Sequence, residues 1–262
     1  MTDPKPDNPQ PKTPAPTPLG ALSDPQPAAP PRSQWHDVWD QFKRHRGALA
    51  GGVLFLLIIV VVYLGPLVWP IDATYIDIRA RNEGPSWAHP CGTVQLGRDT
   101  LARMMAGGQV SIAVGLTAML LALGLGSLIG VLAGFFRRLD GPLMRLTDLF
   151  LSLPLLPLLL VMVLLFRQAL SSTFGPETGI FILIVFAIGV TSWMPTARVV
   201  RGDVLALKER EFVLAARSIG TTNFNLITRH VLPNVLSPIM VSATLGIANA
   251  IITESALSFL GL

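Results

Sequence analysis

A single cysteine, Cys91, occurs in the 262-residue sequence, which excludes an intramolecular disulfide. Charged residues are also scarce, at 14% of the chain, whereas hydrophobic residues make up 51% and the mean hydropathy is +0.55. Soluble domains rarely combine so few charges with so much apolar character. The composition therefore favours a polytopic membrane protein.

Several kinds of chemistry are missing as well. The sequence has no Gly-x-x-x-x-Gly-Lys-Ser/Thr run, the loop with which many ATPases hold phosphates, so no nucleotide site is predicted. His89 and Cys91 are two candidate metal ligands in one loop, but zinc sites usually need three or four. The long apolar runs carry no catalytic constellation. We expect no catalytic, cofactor or metal site, no enzyme activity and no nucleic-acid partner.

The N-terminal part of the chain is polar and rich in proline. Residues 1–33 contain half of the 22 prolines and cannot bury enough apolar surface to offset the entropy lost on ordering. They are predicted to form a disordered cytoplasmic tail. Residues 34–46 then place Trp35, Trp39 and Phe42 on one helical face. This pattern predicts an amphipathic helix in the membrane interface, although a cytosolic helix packed on the bundle is the alternative.

Five long apolar runs follow the tail. Each approaches the roughly 20 residues that a helix needs to cross about 30 Å of hydrocarbon. Lipid cannot satisfy backbone polar groups, so the runs must be helices, and the predicted fold is an all-α transmembrane bundle. The predicted spans are about 47–70, 110–135, 149–167, 178–198 and 232–254.

Basic residues are concentrated on one side of these predicted spans. They precede the first span and recur between spans two and three and between spans four and five, while the other loops have fewer. The positive-inside rule therefore predicts that the N-terminus and the loop between the last two spans face the cytoplasm. The basic residues concerned are Lys43, Arg44, Arg46, Arg137, Arg138, Arg145, Arg198, Arg201, Lys208, Arg210, Arg217 and Arg229.

The loop between the last two spans contains a helix-turn-helix pattern. Ala215 and Ala216 form a small-residue surface, and Gly220 can end a helix in a left-handed conformation. Together with Leu232 and Pro233, these residues have the spacing of the cytoplasmic coupling loop in binding-protein-dependent ABC importer permeases, which the segment resembles. Two positions depart from the family pattern, because Leu214 replaces a glutamate and His230 replaces an apolar residue.

This resemblance assigns an expected role to residues 205–231, here called the coupling segment. In the family, such a loop docks in a groove on an ATP-binding subunit and converts its closure into movement of the spans. The residues expected to take part here are Glu211, Ala215, Ala216, Gly220, His230, Leu232 and Pro233.

A second stretch carries the same resemblance. The sequence His89-Pro-Cys-Gly-Thr-Val-Gln-Leu-Gly-Arg-Asp99 is similar to the stretch before the second span of peptide and nickel permeases, with Val94 where that family has aspartate. It predicts an outward-facing turn fixed by His89, Gly97, Arg98 and Asp99. In this turn Gly97 would supply backbone freedom and Arg98 would pair with Asp99.

The resemblance further implies the type I ABC importer permease fold, in which six spans are expected and five are present here; we expect the sixth to follow Leu262. It implies a C-type permease subunit in the bacterial inner membrane. The implied partners are membrane lipid, a homologous permease, two ABC ATPase subunits and a periplasmic binding protein. Peptides are the favoured substrate, with nickel or another small solute as the alternative. A secondary transporter, a membrane enzyme and a scaffold are the rival classes.

Three residues are candidates for the transport pathway. Pro154 and Pro157 should kink the third span, which can either line a cavity or merely disturb packing. Glu254 is the charge nearest the interior of a span, and we expect it at the outward end, where water can reach it. Separately, Gly126, Gly130 and Gly134 in the second span form small-xxx-small patterns that predict close helix packing.

Overall fold

A computed structural model describes Lys43 and residues 45–261. The predicted tail at 1–33 lies outside the described residues, as does most of the predicted interfacial helix at 34–46. The described part is helix and loop without β-strands, apart from an isolated bridge between Thr93 and Asp99. The all-α prediction is therefore confirmed.

Eight helices of eight residues or more make up most of this described part. They are α1 Arg46–Val68, α2 Thr100–Phe135, α3 Arg137–Ser152, α4 Leu155–Phe174, α5 Pro176–Thr191, α6 Trp193–Leu207, α7 Glu211–Ser218 and α8 Leu232–Phe259. Five stretches are long and apolar enough to cross a membrane: α1, α2, α4, the pair α5–α6 and the run Asn223–Phe259. The chain forms two compact units, residues 1–57 and 58–262, and the packing described below is that of the second.

The centre of the second unit is α2, which packs along α6. A Cβ placed on Gly126 would lie 2.7 Å from the carbonyl oxygen of Trp193, and one on Gly130 would lie 2.7 Å from that of Ala197. Such distances leave no room for any side chain, so these glycines let the two helix backbones touch. The predicted close packing is thus a contact within the chain, between α2 and α6.

The C-terminal part of α1 shows how a proline is accommodated inside a long apolar helix. Pro66 has no N–H, so the carbonyl of Val62, four residues earlier, lacks its usual helical donor. The side chain of Gln109 on α2 donates to that carbonyl at 2.9 Å. Gly108, the preceding residue on α2, makes room for the Val62 side chain. The backbone defect thereby becomes a specific contact between α1 and α2.

The predicted third span, 149–167, is interrupted. Proline disfavours a helical conformation in the residue before it, and Leu153, which precedes Pro154, is extended with φ −79° and ψ 136°. Helix α3 therefore ends at Ser152, and Pro154 caps the start of α4. Pro157 lies in the first turn of α4, where its missing N–H costs little. The expectation that both prolines kink one continuous span is wrong, because they separate two helices.

A similar break divides the predicted fourth span, 178–198. Pro195 cannot donate to the carbonyl of Thr191, and Ser192 adopts φ −112° and ψ 3° between α5 and α6. At the other end of α5, Gly175 has φ 86° and joins α4 to α5 through a one-residue turn. The chain therefore reverses direction at the start of α5 and bends at its end.

Candidate functional site

Helix α7 rests on the C-terminal end of α2 through one apolar face. Val213 and Ala216, three residues apart on α7, are buried together with Leu226 against Phe135. Ala216 therefore packs against its own chain. The helical period turns Ala216 inward with Val213, so its position gives no support to the expected contact with an ATPase groove.

A second face of α7, beside the buried one, is apolar and exposed. Phe212, Ala215 and Ile219 follow one another at helical spacing, and Ile219 is 84% exposed. Phe224, in the next short helical turn, is 74% exposed. We call these four residues the docking face. Of the two alanines named from the sequence, only Ala215 belongs to it, while Glu211 is exposed at the start of α7.

Gly220 ends α7 in the left-handed conformation, with φ 84°. The N–H of Gly220 donates to the carbonyl of Arg217 at 3.0 Å, and that of Thr221 donates to the carbonyl of Ala216 at 3.2 Å. This pair of bonds is the Schellman motif, which satisfies the last carbonyls of a helix. A Cβ on Gly220 would meet nothing within 4 Å, so the backbone conformation alone requires glycine here. The predicted conformation of Gly220 is confirmed; its role in docking stays a prediction.

Polar contacts also tie the coupling segment and its neighbours to the bundle. Lys208 Nζ donates to the carbonyl of Gly134 at 3.1 Å, and the Arg217 guanidinium lies 5.9 Å from the ring centroid of Phe135. Arg201 on α6 donates to Asp140 on α3 at 2.8 Å. This hydrogen bond lowers the pKa of Asp140 below its ordinary value, against a smaller opposing effect of burial. The segment is therefore anchored to α2, and α6 to α3.

The coupling segment continues into α8 without a break. Residues Leu226–Val231 form a π-helical turn, and α8 begins at Leu232 with Pro233 in its first turn. Pro233 cannot donate to the carbonyl four residues earlier, which accounts for the wider turn at this point. The Asn234 side chain donates to the carbonyl of His230 at 2.6 Å. His230 and Leu232 are half-buried and Pro233 is exposed.

The turn before α2 is organised around a buried carboxylate. Asp99 Oδ2 lies 2.8 Å from His89 Nδ1, and its Oδ1 accepts from the N–H of Ala102 at 2.7 Å, which caps α2. Gly97 has φ 69°, and any Cβ on it would collide with the carbonyl of Asp77. The predicted Arg98–Asp99 ion pair is wrong, because capping α2 directs Asp99 away from its neighbour and toward His89. The Arg98 Nε is buried without a hydrogen-bond partner in the described part of the chain.

A cleft of about 580 Å³ opens between the two proline breaks and α8. Its wall is mainly apolar, and none of its lining residues is charged. The polar residues that line it are Thr191, Ser192, Thr196, Ser242, Asn249 and Thr253. A cleft of this size is in the range of small-molecule binding pockets.

The pathway residues expected from sequence fall beside this cleft. Leu153, Leu155 and Pro195 line it, whereas Pro154 and Pro157 do not. Glu254 is 5% exposed and accepts a hydrogen bond from Ser111. The expectation that water reaches Glu254 is wrong, because α8 turns it against α2. Among the described residues, no group of three or more His, Cys, Asp or Glu side chains could hold a metal ion.

Five helical stretches long and apolar enough to cross a membrane, together with an uncharged cleft between helices, are the architecture expected of a transport permease. Residues 122–262 match the family model "Binding-protein-dependent transport system inner membrane component", and residues 33–85 match "N-terminal TM domain of oligopeptide transport permease C". The chain belongs to the family of binding-protein-dependent transport system inner membrane components, which confirms the resemblance seen in the sequence.

Similar curated proteins agree with this membership. The dipeptide transport system permease protein DppC of Bacillus subtilis is 37% identical over 235 residues, which are 89% of this chain and 70% of that protein. The glutathione transport system permease protein GsiD of Pectobacterium atrosepticum is 34% identical over 233 residues, covering 88% of this chain and 74% of the relative. A putative peptide permease of Brucella abortus is 38% identical over 224 residues, covering 85% and 70%.

Proposed function

We propose that this chain is the permease subunit of an ABC importer that forms part of the translocation path for peptides across the bacterial inner membrane. The observation that carries the proposal is the docking face, because it is an exposed apolar surface anchored to the bundle, and its last residue, Phe224, lies at the start of the helical run that continues into α8. Relatives whose names specify dipeptide and glutathione transport support peptides as the substrate class.

The partners proposed from the family are a homologous permease, two ABC ATPase subunits and a periplasmic binding protein. The docking face would enter a groove on one ATPase subunit, with Phe212 and Ile219 as its apolar anchors. The basic residues around it support a cytoplasmic position for the coupling segment, and therefore for the N-terminus. The turn containing His89 and Asp99 would then face the periplasm.

The cleft supports passage of peptides. It offers hydroxyl and amide groups, such as those of Ser242 and Asn249, and no fixed charge that would select one side-chain type. Bare nickel would be expected to require imidazole or thiolate ligands, and the cleft contains no His or Cys; chelated nickel needs no protein ligand and is the alternative. The homologous permease would cover the open side of the cleft.

The experiment that tests this function is uptake in a strain lacking only this subunit. We expect the strain to lose growth on short peptides and to accumulate nickel normally, with both phenotypes compared against the strain complemented with the intact gene. Normal growth on peptides with reduced nickel accumulation would overturn the substrate proposal. Loss of both would indicate a broader substrate range than proposed.

A further inference from the structure

Glu254 is a buried ionisable residue on α8 that neither docking nor the lining of the cleft uses. It is 5% exposed, and its Oε2 accepts a hydrogen bond from Ser111 Oγ at 2.7 Å. No other residue of α8 carries a formal charge. Burying such a group within a span is costly, so its presence calls for a specific role.

The surroundings of this hydrogen bond are apolar and tightly packed. A Cβ on Gly115 of α2 would lie 2.6 Å from Ile251 of α8, and Gly246 of α8 makes similar room for Met119 of α2. Ala250 and Leu257 belong to the adjoining buried cluster. Among the described residues, Ser111–Glu254 is the one hydrogen bond between side chains of α2 and α8. Apolar contacts tolerate small rotations of a helix, whereas a hydrogen bond fixes direction as well as distance.

The neighbours of Glu254 on α8 face the cleft. Asn249, Ile252 and Thr253 line it, whereas Glu254 is held against α2. The rotation of α8 about its own axis therefore decides which side chains the cleft presents. Because the helical run Asn223–Phe259 includes the π-helical turn and α8, movement of Phe224 on the docking face reaches this end of α8 along a single helix.

We propose that Glu254 is a positioning residue: its hydrogen bond with Ser111 ties the outward end of α8 to α2 and fixes the rotation of the cleft wall. This inference rests on the proposed function, since it describes how motion of the coupling segment is converted into rearrangement of the path. Without the tie, α8 would turn or slip at its outward end, and ATP hydrolysis would continue with little transport.

The test uses the complete complex in proteoliposomes and measures ATP hydrolysis and peptide uptake on the same samples. For Glu254→Ala and for Ser111→Ala, we expect uptake per ATP to fall roughly tenfold, the effect of losing a hydrogen bond that involves an ionisable group. Ser111→Thr and Glu254→Gln keep a donor and an acceptor, so both should stay within about twofold of the wild type. The double alanine variant should be no worse than the poorer single variant, because both remove the same interaction.

A labelling measurement separates positioning from a purely structural role. Ile252 is 67% exposed and lines the cleft, so Ile252→Cys in a Cys91→Ser background reports the orientation of α8. Adding Glu254→Ala should change the labelling rate severalfold in assembled complexes of unchanged amount. If Glu254→Ala prevents assembly, Ser111→Ala against Ser111→Thr decides the question alone.

Several outcomes would overturn the proposal. Wild-type coupling in both alanine variants would show that the tie does not position α8. Failure of Glu254→Gln to the same extent as Glu254→Ala would show that charge, and not the hydrogen bond, is what matters. Absence of ATP-dependent peptide uptake by the wild-type complex would instead contradict the proposed function, which keeps the two failures distinct.

Discussion

Replacement of Gly220 by valine should uncouple ATP hydrolysis from transport while leaving the protein inserted in the membrane. Gly220 has φ 84°, and a residue with a Cβ pays about 1–2 kcal/mol to adopt the left-handed conformation. A Cβ at this position would meet no atom within 4 Å, so the backbone cost dominates the expected effect. A cost of that size lowers the ratio of capped to uncapped conformations by a factor of roughly 5–30.

The loss of the cap would displace the docking face. The bonds from Gly220 to Arg217 and from Thr221 to Ala216 hold the end of α7, next to Ile219. We expect ATP-dependent uptake by reconstituted Gly220→Val complexes to fall about as much as the capped population does. Copurification of the ATPase subunits should weaken in parallel, because the same face makes both contacts.

Two variants serve as controls for this prediction. Gly202 is also an exposed glycine with no atom near its Cβ position, but it lies inside α6 with ordinary helical backbone. Gly202→Val should be harmless, since valine has a higher helix propensity than glycine. Gly220→Asn should retain most activity, because asparagine tolerates the left-handed conformation. Wild-type transport by Gly220→Val, or equal losses at both glycines, would refute the reasoning.

Further predictions concern topology, packing and acid stability. A cysteine replacing Lys208 should react only with reagents added on the cytoplasmic side and Cys91 only with those on the periplasmic side; the reverse pattern would contradict the orientation. Gly130→Ala should lower the melting temperature in detergent because its Cβ would lie 2.7 Å from a carbonyl oxygen, whereas Gly124→Ala, with nothing within 4 Å, should not; equal melting temperatures would contradict the α2–α6 contact. The lowered pKa of Asp140 means that its ion pair stabilises the protein above the unfolded-state value near 3.8 and that this contribution is lost as pH falls through the folded-state pKa. Asp140→Asn should therefore lower the free energy of unfolding by up to about 1 kcal/mol at pH 7 and flatten the loss of stability below about pH 4. Denaturation at a series of pH values measures both effects. If the variant lost stability in acid as the wild type does, the Asp140–Arg201 pair would not be a cause of that loss.

The sequence carries the features of the fold that depend on local physics. Uncharged runs of about 20 residues must be helices in lipid, and glycines four residues apart, such as Gly126 and Gly130, allow close backbone approach. The position of Gly220 after a short amphipathic helix likewise predicts a left-handed cap. Each of these inferences depends only on residues that are close together in the sequence.

The features that were predicted wrongly depend on distant partners or on competing local options. Both faces of α7 are apolar, so the sequence does not reveal that Ala216 turns toward Phe135. Adjacent opposite charges suggested an Arg98–Asp99 pair, but capping of α2 and the approach of His89 compete for the same carboxylate. Glu254 was expected in water because its partner, Ser111, is 143 residues away.

The proline breaks are an intermediate case. The sequence contains the signal, because a residue before proline avoids the helical conformation, as Leu153 does. Uniform hydrophobicity across residues 149–167 favoured one kinked span over two helices. A boundary between two apolar helices leaves little trace in hydropathy, and here it also shapes the cleft through Leu153.

The central claim is that Ala215 and its neighbours on α7 transmit the action of a separate ATPase to the path for peptides. ATP-dependent uptake of a labelled dipeptide by proteoliposomes, with Ala215→Arg compared against Ala215→Ser, tests it most directly. Ala215 is exposed, so both variants should fold and insert. We predict that the arginine variant loses uptake and ATPase binding while the serine variant keeps both. Equal uptake by the two variants would contradict the claim.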